Sequence, residues 1–201
     1  MTDLAPYVSD ALAELGNIAA GAASTALSRL LGKDVRITTP DVKVTNLGQL
    51  AQAYPAPCVI ARIKFSGALQ GENLLIIEVP QARELAEFLV ALFAQPPQPR
   101  EEAEELSEFE LSAVSEIMNQ MMGASARAYG ELLADRVEIS APQAFVRLVR
   151  DELPSSAEAQ AAMVAIRFSL IIEGREVGGF VQLMERRFAE RLAERLVKAY
   201  T

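Results

Sequence analysis

Two stretches of this sequence set a carboxylate and an amide three residues apart within apolar, helix-forming surroundings. The first reads Asp10-Ala-Leu-Ala-Glu14-Leu-Gly-Asn17-Ile-Ala-Ala-Gly21, the second Ser112-Ala-Val-Ser-Glu116-Ile-Met-Asn119-Gln-Met-Met-Gly123. Spacings of four, three and four put each set on a single helical stripe. The neighbouring faces carry Leu12, Leu15, Ile18 and Leu27, or Val114, Ile117, Met118 and Met121. Those faces bury the helices and leave the polar stripes turned outward. Any chemistry here must run on carboxylates, amides, hydroxyls or Lys/Arg, because the chain contains no histidine and one cysteine, Cys58. A Ser-His-Asp or Cys-His nucleophile, a His general base and a His-based metal site are all excluded.

Each member of the stripes has a plainer explanation. Glu and Asn on a helix face usually serve only solvation. Gly21 and Gly123 each cost about 1 kcal/mol in a helix interior, which close helix packing would explain. Met121 and Met122 read as core filling. The comparison between the two stretches favours function for the Glu/Asn pair. Ala13 is replaced by Ser115 and Ala20 by Met122, both read as surface positions, while Glu and Asn keep identity and spacing.

The elements that must hold these stripes repeat as well. Sliding the chain by 102 positions aligns the two stripes and then Val35 with Val137, Ile37 with Ile139 and Pro40 with Pro142. After a one-residue adjustment, Ile63-Lys64-Phe65-Ser66 falls on Ile166-Arg167-Phe168-Ser169 and Gly71 on Gly174. Further gaps bring Leu85-Ala86-Glu87 onto Leu192-Ala193-Glu194. The chain is thus read as two copies of one unit, about 6–94 and 107–199, joined by a Pro/Glu-rich linker over 95–106.

Each copy is expected to open with a helix, about 6–32 and 107–134. Gly32 is a stop for the first, and Ser107 with Glu110 a capping-box start for the second. Extended segments follow at Val35–Thr39 with Val42–Val44, and at Val137–Ser140 with Ala144–Val149. A hairpin comes next, Val59–Leu69 into Asn73–Val79 and Val164–Ile172 into Glu176–Met184. A closing helix ends each copy, about 81–94 and 185–199. Leu47–Pro57 and Asp151–Gln160 are read as surface loops. Strands joined by short turns, with helices at the ends of each unit, give an α+β fold with antiparallel sheet and a pseudo-two-fold repeat. The two copies are expected to pair their sheets around one core, forming a single domain over 1–201.

The 201 residues can bury about 70% of the unfolded surface, so no disulfide staple is needed. Net charge is −8, from 19 Lys+Arg against 27 Asp+Glu, and no basic cluster offers a nucleic-acid surface. Apolar runs such as Leu74–Ile77 fall far short of the roughly 20 residues of a membrane span. The N-terminus lacks a signal peptide's basic and apolar regions. The expectation is a soluble, cytoplasmic, acidic globular protein.

The doubled pattern Asp/Ser-x-x-x-Glu-x-x-Asn resembles the CheC/CheX/FliY phosphatases of bacterial chemotaxis. Glu14-Leu-Gly-Asn-Ile-Ala-Ala-Gly-Ala-Ala-Ser-Thr-Ala-Leu-Ser28 is similar to first sites across CheC and FliY. Glu116-Ile-Met-Asn-Gln-Met-Met-Gly123 and Leu69-Gln-Gly-Glu-Asn-Leu-Leu75 resemble the FliY branch, in its middle, CheC-like part. The resemblance implies a phosphatase acting on CheY-P, the response regulator phosphorylated on an aspartate. Asn17 and Asn119 would orient the attacking water, and Glu14 and Glu116 would pair with the lysine beside the phosphoryl group. Asp10, Ser112, Gly21 and Gly123 would support them. No cofactor of its own is implied, since magnesium would arrive in the CheY site. FliM and FliG of the flagellar motor switch are further implied partners, with localisation at that switch when the chain is part of a longer protein.

FliY proteins generally carry a C-terminal FliN-like domain and an N-terminal partner-capturing segment. This sequence stops at Thr201 and has only a few residues before its first helix, so both an excised core and a stand-alone CheC-type enzyme remain open. Two other readings stay beside the phosphatase: an interaction module of the motor switch, and a CheC-like enzyme stimulated by CheD.

Overall fold

Both long helices start and stop where their sequences supply the signals. In α1 (Pro6–Leu31), proline occupies the first turn, where its missing N–H costs nothing. Gly32 ends it in the left-handed conformation at φ 63°. In α4 (Glu108–Leu133), Ser107 accepts from the Glu110 N–H at 3.2 Å, and the Glu110 carboxylate accepts from the Ser107 N–H at 2.7 Å. The capping box expected from Ser107 and Glu110 is therefore formed. The stop of α4 differs, because a left-handed Ala134 at φ 48° takes the role that Gly32 plays in α1.

These elements belong to a computed structural model that describes residues 3–38, 41–93, 105–152 and 161–200. Between the long helices lie β1 (Val35–Ile37), β2 (Asp41–Thr45), α2 (Leu47–Ala53), β3 (Cys58–Gly67), β4 (Gly71–Glu78) and α3 (Val79–Val90). After α4 come β5 (Val137–Ile139), β6 (Gln143–Arg147), β7 (Met163–Ile172), β8 (Arg175–Glu185) and α5 (Arg186–Tyr200). Short 3-10 turns span Ala91–Phe93 and Val149–Glu152. The linker expected over 95–106 lies outside the described residues apart from Glu105 and Leu106. Most of the loop expected over 151–160 lies outside them too. The expected loop at 47–57 instead contains α2, capped by Asn46, whose side chain accepts from the Gln49 N–H at 2.8 Å.

The architecture is α+β with one antiparallel sheet, as the strand order anticipated. The sheet runs β1-β7-β8-β4-β3-β5, with β2 also on β7 and β6 also on β3. Each half thus lends its first two strands to the hairpin of the other half, and the hairpins meet where β4 pairs with β8.

The pairing also corrects the alignment of the hairpins. Val35 pairs with Ile172 and Val137 with Gly67, while Val42 pairs with Ile166 and Ala144 with Ala61. Counterparts of Ile172 and Ile166 are therefore Gly67 and Ala61, two positions away from the match of Ile63–Ser66 with Ile166–Ser169. A slip of two leaves every side chain on its own face, so the alternation of the sequence cannot reveal it. Gly71 likewise corresponds to Gly178 rather than Gly174. A Cβ at Gly71 would collide with the Phe188 ring, and one at Gly178 with the Gln81 side chain. Gln81 and Phe188 hold the third position of α3 and α5. Gly174 is the hairpin turn, at φ 77°.

The main core lies between the sheet and α1, α3, α4 and α5, and includes Leu12, Leu27, Ile117, Ile63, Leu75 and Phe188. A smaller one fills the other face, where Leu47 and Leu50 of α2 and Val149 cover Cys58, Ile60 and Leu183. Two polar atoms are stranded in the sheet: Asn73 Oδ1 and Gln182 Nε2 are buried with no hydrogen-bond partner. They sit diagonally on β4 and β8, since Leu75 pairs with Gln182 and Asn73 with Met184.

Candidate functional site: two outward helix stripes

The stripe helices owe their placement to each other and to the strands behind them. Ser125 of α4 donates to its own Met121 carbonyl at 2.9 Å and reaches the Ala19 carbonyl of α1 at 3.4 Å. Small buried residues on both sides, Ala19, Ala20 and Ala23 with Ser125 and Ala126, permit that close approach. On the sheet side, Ser24 Oγ accepts from the Ile37 N–H at 2.9 Å and Ser28 Oγ from the Val35 N–H at 3.0 Å. These bonds tie α1 to β1. The end of α4 is fixed by Asp135, whose N–H donates to the Gly130 carbonyl and whose carboxylate accepts from Arg195 at 2.9 Å. The Arg136 N–H and the Arg195 guanidinium hold the Asp135 carboxyl below its ordinary pKa.

With the apolar faces turned inward, the stripes stand outward as expected. Asp10, Glu14, Asn17 and Gly21 are all exposed on α1. On α4, Ser112 and Glu116 are exposed, whereas Asn119 and Gly123 are half-buried. The two stripes are therefore alike but not equal. Glu116 accepts from Gln120 at 2.7 Å, while the matching position beside Glu14 is Ile18, which can donate nothing. Among the described residues, the side-chain amides of Asn17 and Asn119 make no hydrogen bond. Each keeps its donor and acceptor free for a ligand.

The glycines lack the packing role considered above. A Cβ on Gly21 would meet nothing within 4 Å, and one on Gly123 would meet only Arg127 Nη1, at 3.5 Å. Met121 and Met122 are buried, as core residues should be. Ala20 and Met122, expected at the surface, are both buried, and Ala13 and Ser115 are half-buried. The Glu/Asn pair is thus kept beside a core that was repacked, not beside a surface that drifted.

The stripes extend one turn further than the motif. Tyr7 and Phe109 precede Asp10 and Ser112 by three residues, and both are exposed. That spacing is legible in the sequence. Among the described residues no three of His, Cys, Asp and Glu gather as a metal site. No helix among them is long and apolar enough to cross a membrane. A cleft of about 290 Å³, lined among others by Tyr54, Glu78, Gln81 and Arg167, shares no residue with either stripe.

Residues 8–44 and 109–146 match the CheC-like family. Each of those segments contains one of the stripes. It is 32% identical over 198 residues, 98% of its length, to the flagellar motor switch phosphatase FliY of Bacillus subtilis. It spans about half, 51%, of that protein's length. The crystal structure of Thermotoga maritima FliY superposes with a TM-score of 0.84 at 29% identity, covering 98% of each chain. The middle domain of Helicobacter pylori FliM shares the fold at a TM-score of 0.70 and 15% identity, covering 96% of this chain and 99% of that one.

Proposed function

We propose that this protein hydrolyses the aspartyl phosphate of phosphorylated CheY. The observation that carries the reading is the pair of outward Glu-x-x-Asn stripes, each with an asparagine amide that makes no hydrogen bond among the described residues. An acyl phosphate leaves as a carboxylate, so the reaction needs no general acid. Water attacks phosphorus in line, the bond to the aspartate oxygen breaks, and inorganic phosphate departs. The remaining task is to hold that water, and an amide can accept from it and donate to it at once. Asn17 and Asn119 take that role, inserted into the partner's site. Glu14 and Glu116 pair with the partner's lysine and fix the register. Magnesium would arrive with the partner.

The test is a time course of CheY-P dephosphorylation. Wild type accelerates phosphate loss, and Asn17→Ala with Asn119→Ala together lowers the rate at least about 100-fold without changing the melting temperature. Full activity in that double variant overturns the mechanism. A second reading draws on the fold shared with FliM middle domains, one of them solved with FliG at a TM-score of 0.72. As a switch-binding module, the double variant would still capture FliG while hydrolysing nothing.

A further inference from the structure

We infer that Tyr7 and Phe109 are docking anchors for the phosphorylated partner, one on each stripe; this rests on the phosphatase reading above. Four large apolar side chains stand exposed among the described residues, namely Tyr7, Leu92, Phe109 and Val197. A single exposed apolar residue is ordinary. A matched pair is not. Tyr7 is 56% exposed and Phe109 is 53% exposed, and each lies three residues before the Asp or Ser and seven before the Glu of its stripe. The position keeps an aromatic ring in both halves, although it contributes to neither core.

Helix geometry turns that spacing into a distance. Ten residues separate each ring from its asparagine, about 15 Å along the axis. A partner whose phosphoryl group meets Asn17 or Asn119 therefore covers the ring within one interface of ordinary size, about 800 Å² a side. At the other end of the α1 stripe, a Cβ on Gly21 would meet nothing within 4 Å, and Gly21 itself is exposed. Each stripe thus offers an aromatic anchor and a charged and amide centre, and the α1 stripe adds an open floor at Gly21. Exposed aromatic rings bury large area at little conformational cost, which makes them effective anchors. The occupant must carry an apolar surface patch about 15 Å from its phosphoryl group. An anchor made before and during reaction contributes uniform binding, so its removal shows in KM and not in kcat.

The experiment measures CheY-P hydrolysis against CheY-P concentration for wild type, Tyr7→Ser/Phe109→Ser, Tyr7→Phe and Asn17→Ala/Asn119→Ala. The serine pair is expected to raise KM about tenfold or more with kcat within twofold and an unchanged melting temperature. Tyr7→Phe, which installs the ring found at position 109, keeps the wild-type KM. An active wild type whose KM is unmoved by the serine pair overturns the anchors and leaves the phosphatase reading standing. If wild type does not hydrolyse CheY-P, direct titration decides: binding weakened by the serine pair upholds the anchors and discards the phosphatase. Absence of binding discards both. Sedimentation of the serine pair checks for a second copy of the chain as occupant; dimers that fall apart while KM stays put also overturn the proposal.

Discussion

Gly21 is a residue the helix would be better without. Its Cβ position is open, so Gly21→Ala should stabilise the protein by about 1 kcal/mol, read from the urea midpoint. The phosphatase reading expects the same variant to lose activity, because a methyl group would stand on the face the partner approaches. A gain in stability with undiminished hydrolysis would make the glycine incidental. Cys58 gives a pH signature of a different kind. Burial pushes its thiol from 9.0 up to about 11, with nearby Glu78 adding to the effect. The unfolded chain therefore loses that proton first, and stability contributed by the thiol falls as pH rises from 9 towards 11. Tyr129, its phenol also pushed upward by burial, steepens the fall above pH 10. Denaturant midpoints between pH 8 and 11 should decline, and less so in Cys58→Ala. The Glu/Asn residues were legible in the sequence because two copies could be compared. The inequality of Asn17 and Asn119 was not, since exposure depends on what packs alongside.

The elements show where local signals suffice and where they fail. Gly32 and the Ser107/Glu110 box announced the helix ends they make. Ala134 gave no such notice, because alanine is a helix former held here in a left-handed stop by the Gly130–Asp135 turn. Ala134→Gly should accordingly raise stability by about 1 kcal/mol, and Gly32→Ala should lower it by a similar amount, both by denaturant titration. Helix α2 was hidden for another reason. Its seven residues are too few to show a period, and the burial of Leu47 and Leu50 is a tertiary fact, although Asn46 is a local N-cap signal. The two-residue offset of the hairpins was invisible because a strand's pattern repeats every two. In the sheet, Gln182→Met removes an unpaired buried donor next to a similarly unpaired Asn73, and should stabilise by about 1 kcal/mol.

For the whole molecule, the decisive feature is the exchange of edges between halves. Among the described residues of 1–100, β1 and β2 have no strand partner in their own half, because both pair with β7. Residues 101–201 are placed alike, with β5 and β6 paired to β3. Expressed separately, each fragment should show no cooperative unfolding transition in denaturant. Mixing the two should restore the fold and, on the phosphatase reading, hydrolysis. A fragment that melts cooperatively alone would show that the halves are independent units. The sequence disclosed two similar halves and an antiparallel class. Which strand meets which could not be read there, because the pairing runs between residues roughly 70 to 140 positions apart.

That exchange also constrains how such a chain can change over generations. A half that stopped contributing to chemistry could not be shed, because the other half's hairpin is completed by its strands and its long helix is flanked by the other. Loss of one site would be written in a few exposed side chains, with the helix beneath them kept intact. Two helices with only one Glu/Asn pair would then mark retained architecture, and counting helices would say nothing about counting sites.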